Sequence, residues 1–256
     1  MTEYYFIGAA LPPLAIGVKP ELSFKEFHEM LVANLTASDL KKVDDLLWTI
    51  DLANIRAFWL GQPLDERGTY SPKELEEALL VRESFPPYLN DFLDRYESIA
   101  DRLRYFPSLY TSMYKDLETK SKSGFLHYYY TLEREIRLVW TALRAKKTGR
   151  DIVRELQFED PVDPFVMAIL AQKDSADYTP PPEYEELKTL FLENINEPKK
   201  LHLALLEYRF KKLEQYEPFS MDRILSYMVQ LMIVESWEAL DQELGNTIVE
   251  DLSKHG

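Results

Sequence analysis

Apolar residues recur at intervals of three and four along nearly the whole chain, and capping residues and prolines reset that period at short distances. Ser71-Pro72-Lys73-Glu74 combines a capping serine, a proline at the first helical position and a glutamate that can close a capping box. Asp163-Pro164 repeats the cap-plus-proline start, and Thr179-Pro-Pro-Pro182 opens a helix after a short linker. Ser23-Phe-Lys-Glu26 and Thr36-Ala-Ser-Asp39 are further starts. The period and these starts predict helices over 23–35, 38–60, 72–84, 88–105, 108–121, 124–147, 149–157, 164–172, 182–195, 198–216 and 219–244. No Asn-Gly or Asp-Gly turn is flanked by alternating residues. The expected fold is all-α. Tyr4–Ile7 reads either as a short extended piece or as the first turn of a helix ended by Pro12.

A chain of 256 residues is long enough for a substantial core without staples. It is read as a single all-helical domain over 1–256, with possible lobes at 1–85, 86–173 and 174–256 and the best linker at Asp174–Pro182. The net charge of −14 argues against a phosphate backbone as partner, so no nucleic acid is expected. Cysteine is absent, which excludes disulfides and thiolate chemistry and fits a reducing, cytoplasmic compartment. Glu3 and the prolines at 12 and 13 argue against a signal peptide. No apolar run approaches the roughly 18 residues of a membrane span.

The chemistry of common active sites is missing. His28, His127, His202 and His255 lie in no metal-binding spacing, and no glycine pattern makes a phosphate loop or a dinucleotide site. There is no Gly-x-Ser-x-Gly elbow. The expectation is a protein that is not an enzyme, with no cofactor, no metal and no catalytic residue.

Polar residues interrupt the apolar faces at three places. On the helix from Leu40, the residues Leu40, Val43, Leu47, Ile50 and Phe58 share a face with Asp51 and Asn54. A carboxylate and an amide on such a stripe require partners, and an inter-helix polar clamp is the expected role. In the last helix Glu235 sits within the stripe of Ile224, Met228, Leu231, Met232 and Ala239, and the same role is assigned to it. The helix after Ser123 buries Phe125, Tyr129, Leu132, Ile136, Val139 and Leu143, with Arg134, Arg137, Thr141 and Arg144 on the other side. Segment 125–150 carries +4 and the rest of the chain −18. Internal pairing, such as Glu133 with Arg137, is one reading of this basic face. The other is an interface for an acidic partner formed by Arg134, Arg137, Thr141 and Arg144.

Two segments resemble each other. Asp51-Leu-Ala-Asn-Ile-Arg-Ala-Phe-Trp59, followed by Gly61 and Gly68-Thr-Tyr-Ser71, parallels Glu133-Arg-Glu-Ile-Arg-Leu-Val-Trp140, followed by Leu143-Arg-Ala-Lys-Lys-Thr-Gly149. A fainter third copy spans Tyr227–Gly245. Repeated helical units bury their faces by stacking. With these motifs the chain resembles the C/d-type subunits of the V/A-type ATPases, termed C in archaea and bacteria and d in eukaryotic V-ATPases. Asp51, Asn54, Ile55 and Arg56 match that family's acidic-x-x-Asn-Leu/Ile-basic core. Leu143, Arg144, Lys146 and Gly149 match its Leu-Arg-x-Lys-x-x-Gly ending, Gly68–Ser71 its Gly-x-x-Ser turn, and Tyr4-Tyr5-Phe6 its aromatic opening. More closely, the chain resembles a shortened bacterial form associated with V-type ATPases.

The resemblance implies a three-lobed, funnel-like helical protein without an active site. It would couple the central-stalk subunits to the membrane rotor ring for ion or proton transport, cytoplasmic and peripheral to the membrane through protein contacts. The alternative from a different class is a free-standing helical scaffold or regulatory protein-binding module.

Overall fold

The structure, a computed structural model, describes residues 4–213 and 216–255, with side chains described through Leu240. Its regular elements are α1 (Tyr5–Ala10), α2 (Phe24–Asn34), α3 (Ala37–Trp59), α4 (Pro72–Val81), α5 (Pro87–Arg95), α6 (Ile99–Tyr105) and α7 (Pro107–Lys120). They continue with α8 (Gly124–Thr148), α9 (Ile152–Glu155), α10 (Pro164–Leu170), a 3-10 turn at Pro182–Tyr184, α11 (Glu185–Asn194), α12 (Pro198–Lys212) and α13 (Met221–His255). The fold is all-α, with no strand among the described residues.

Local chemistry sets the helix boundaries. At the start of α2 the Ser23 hydroxyl accepts from Glu26 N and the Glu26 carboxylate accepts from Ser23 N at 2.9 Å, a complete capping box. Ser71 and Glu74 make the same pair ahead of α4, with Pro72 as the first helical residue. Asp163 Oδ1 accepts from Phe165 N and Val166 N at the head of α10. Such caps are each worth about 1 kcal/mol.

Elsewhere the periodicity runs past real breaks. The single helix expected over 88–105 is two, α5 and α6. Ser98 caps the second by accepting from Asp101 N at 3.1 Å, and Arg102 Nε donates to the carbonyl of Tyr96 that the break frees. The helix expected over 149–157 shortens to α9, because Gly149 is left-handed (φ 66) and Asp151 caps a new start. α4 ends at Val81, where Arg82 turns left-handed. The opening aromatic residues form α1, and α13 continues to His255, past the expected end at 244.

The chain forms two compact units, one from Met1–Lys41 with Glu193–Gly256 and one from Lys42–Leu192. These bounds differ from the possible lobes at 1–85, 86–173 and 174–256. In the first unit α1, α2 and α12 pack on α13. Every residue of α13 from Ile224 to Val234 is buried, and Ala239 is exposed. Within that stretch Ser226 donates to Leu213 O and Gln230 to Phe210 O, while the buried Tyr227 hydroxyl has no hydrogen-bond partner among the described residues. Phe27 meets Tyr227 edge-on at 5.1 Å.

In the second unit α8 is the central element, with α7, α9 and α10 packed on it. Phe125, Tyr129, Leu132, Ile136, Val139 and Leu143 are all buried, and so is a second row of Leu126, Tyr130, Leu138 and Ala142. α3 contributes Val43, Leu46, Leu47, Leu52 and Ile55 to the core, with Ile50 and Phe58 half-buried. Among the described residues no helix is long and apolar enough to cross a membrane.

Candidate functional site

Asp51 and Asn54 lie one turn apart on α3, only 1% and 3% exposed. Both grip the loop that leads from α3 to α4. Asp51 Oδ1 accepts from Thr69 N at 2.7 Å. Asn54 bonds Asp65 twice, its amide donating to Asp65 O at 2.9 Å and its carbonyl accepting from Asp65 N at 2.8 Å. Gly68 is pressed onto both side chains, and a Cβ there would stand 2.5 Å from Asn54 Nδ2 and 2.8 Å from Asp51 Oδ1. The clamp is therefore helix to loop, and its partners are main-chain groups together with the Thr69 side chain. Burial pushes the Asp51 carboxyl above its ordinary range, against the pull of Thr69, and Asp44 nearby adds to the rise. Asp65 behaves oppositely: burial alone would raise it, but its bonds to Arg67 and the charge of that residue hold it below the ordinary value.

On α8, Arg134 and Arg137 are turned inward. Arg137 Nη2 donates to Glu159 Oε1, which also accepts from Thr111 Oγ1 at 2.5 Å. Arg134 Nη2 stands 3.1 Å from Asp163 Oδ2 and 3.8 Å from Glu159 Oε2, the latter a charge contact without a hydrogen bond. The Glu159 side chain is 3% exposed. Asp163 thus caps α10 with one oxygen and pairs with Arg134 through the other. Thr141 donates back to Arg137 O at 2.8 Å. Arg144, three turns on from Arg134 along the same face, is exposed and, among the described residues, makes no ion pair. The basic face is accordingly divided: Arg134 and Arg137 are engaged within the unit, and Arg144 faces solvent. Glu135, which aligns with Asn54 when the two Ile-Arg steps are superposed, accepts from the Tyr184 hydroxyl, and burial raises its carboxyl.

Glu235 on α13 accepts from Phe24 N, the first residue of α2, at 2.7 Å. A carboxylate there also meets the positive end of the α2 dipole. Three long helices each hold a shorter one through a polar side chain, at positions that do not coincide when the repeats are superposed: Asp51 acts on the approach to α4, Arg134 on α10 and Glu235 on α2. The sequence singles out the polar residues of the long helices. Glu159 and Asp65 are not distinguished from the acidic residues around them, and the only sequence signal for the loop is Gly68.

Among the described residues no three histidine, aspartate or glutamate side chains converge in a way that could hold a metal ion. The arrangement is one of mutual fixation: donors and acceptors that tie helices to loops.

The family described as Protein of unknown function (DUF2764) matches the chain over residues 1–255. A protein of Chlamydia muridarum, described as uncharacterised, is 29% identical over 263 residues, covering 99% of this chain and 98% of its own length. One from Chlamydia pneumoniae is 30% identical over 84% of this chain and 83% of its own length. One from Chlamydia trachomatis is 28% identical over 94% of this chain and 95% of its own. No solved structure matches.

Proposed function

The chain belongs to the DUF2764 family, and we propose that it serves as a non-catalytic adaptor of a V/A-type rotary ATPase, akin to the C/d-type subunits, coupling the central stalk to the membrane rotor ring. The observation that carries this reading is the joining of the motif pieces that resemble that family. Asp51 and Asn54 of the core motif close on Gly68-Thr69, the start of the Gly-x-x-Ser turn, in one hydrogen-bonded unit.

A part that transmits torque must not yield, and stiffness follows from dense packing around long helices. α8, and α13 from Ile224 to Val234, are densely buried. The proposed protein carries no active site. It is held at the cytoplasmic face of the membrane by proteins of the stalk and ring. Arg144 is the cation placed to meet an acidic surface on the stalk or ring.

The test is affinity purification of the tagged chain from cells that carry a V-type ATPase. Stalk and ring subunits in fixed proportion are expected, and a chain recovered alone, with the ATPase intact elsewhere, overturns the reading in favour of a free-standing scaffold.

A further inference from the structure

One face of α4 and the loop that Asp51 holds border a groove of ≈ 430 Å³. Glu74, Glu77, Ala78 and Val81 line one side, at the i, i+3, i+4, i+7 spacing of a single helix face. Thr69 and Tyr70 line the groove as well. The Tyr70 ring is fixed there by its bond to Ser84 Oγ at 3.1 Å and its edge contact with Phe85 at 6.2 Å. Arg82 to Ser84 complete the lining.

The charges are unbalanced. Glu74 is committed to its capping box, and the one cation of the lining, Arg82, is bound to Asp94 at 2.5 Å. The Glu77 and Glu83 side chains are exposed and, among the described residues, have neither an ion pair nor a hydrogen bond. Beside them Leu80 and Val81 are 79% and 63% exposed, a costly display for a helix whose opposite face, at Leu75, is fully buried.

We propose that this groove docks a basic amphipathic helix of a protein partner. A lysine or arginine of that helix would lay its aliphatic stem along Ala78, Val81 and the Tyr70 ring and bring its charge to Glu77 and Glu83. Tyr70 adds an aromatic face for the cation. Leu80 and Val81 extend apolar surface past the groove, which suits a helix with an apolar stripe beside its basic residues and exceeds what a single small cation would use. The proposal stands apart from the adaptor reading, which assigns an acidic partner surface to Arg144.

The experiment titrates the full chain by calorimetry with a designed amphipathic helical peptide carrying leucines on one stripe and lysines beside it. A second peptide with glutamate at every lysine position serves as control, and hydrogen exchange maps the footprint. The basic peptide is expected to bind one to one and protect amides within 69–84. Glu77→Gln with Glu83→Gln is expected to weaken it roughly tenfold, the loss of two charge contacts. Glu29→Gln with Asp91→Asn, which removes two exposed carboxylates elsewhere, should leave affinity unchanged. Protection confined to other segments overturns the proposal. So does equal weakening by both pairs of substitutions, equal binding of the acidic peptide, or a footprint at 69–84 produced by self-association of the chain without peptide.

Discussion

α3 and α8 each hold the segment that follows them, and they use opposite chemistry to do it. α3 presents a carboxylate and an amide to backbone groups, so its hold depends on how closely the main chain can approach. α8 presents two guanidinium groups to two carboxylates, so its hold depends on both charges being present. The α3 clamp leaves no room for a side chain at Gly68 without a shift of Asn54 or Asp51. The ionic clamp tolerates movement of the loop but not the loss of Glu159. A buried ion pair adds little over an apolar replacement when formed, yet costs heavily when one partner is taken away, because the other stays behind charged.

The largest effect should therefore follow Glu159→Ala. It strands Arg137 and leaves Thr111 without its acceptor. A loss of about 3–5 kcal/mol in urea unfolding is expected. A loss below about 1 kcal/mol would mean that water replaces the carboxylate and that the two clamps do not differ as described.

Gly68→Ala attacks the other clamp. The added methyl must displace either the loop or the Asn54 side chain, at about 1–3 kcal/mol. In an Asn54→Ala background the same change should cost clearly less, because the closest clash is gone. Equal cost in both backgrounds would place the strain elsewhere.

Asp51 separates geometry from charge. Asp51→Ala leaves Thr69 N without its acceptor and should cost about 1–3 kcal/mol. Asp51→Asn keeps an acceptor oxygen and removes a charge that burial disfavours, so it should cost less than the alanine change. The sign of its pH dependence follows from the raised carboxyl. Between the ordinary aspartate value of about 3.9 and the higher folded value, the folded protein binds more protons than the unfolded one. Stability from this group is thus lost as pH rises through that window. Asparagine does not titrate, so the stability of Asp51→Asn relative to the parent should improve as pH climbs from below about 3.9 towards neutrality. A flat relative stability would show that folding leaves the carboxyl unshifted, and a falling one that the carboxylate is stabilised as a charge.

What the sequence could reveal about these clamps depended on which partner carried the signal. Helix starts were legible at Ser23, Ser71 and Asp163 because capping is a local matter of three or four residues. The all-α class followed from the same periodicity. The break between α5 and α6 was hidden, although Ser98 and Asp101 stand there as a cap, because apolar spacing continues across it. Asp51 and Asn54 were conspicuous on an apolar stripe, but most of their partners are backbone groups, which every residue possesses and no pattern marks. Arg134 and Arg137 looked solvent-facing because they lie opposite the main stripe of α8. The chain returns over them as α9 and α10, and the residue that meets them, Glu159, follows Phe158 and precedes Asp160 with nothing in its spacing to set it apart.

The smallest effect on stability is expected where the sequence sees no difference at all. Arg134, Arg137 and Arg144 occupy one face of α8, yet two are locked to carboxylates and one is open. Reversing the charge at Arg134 places a carboxylate beside Asp163 and Glu159 and should destabilise the chain by several kcal/mol. Arg144→Glu should stay within about 0.5 kcal/mol, as exposed substitutions do. Under the adaptor reading it should nevertheless reduce the recovery of ATPase subunits with the tagged chain. Undiminished recovery would remove Arg144 from the contact, and unfolding comparable to that of Arg134→Glu would show that the third arginine is clamped like the other two.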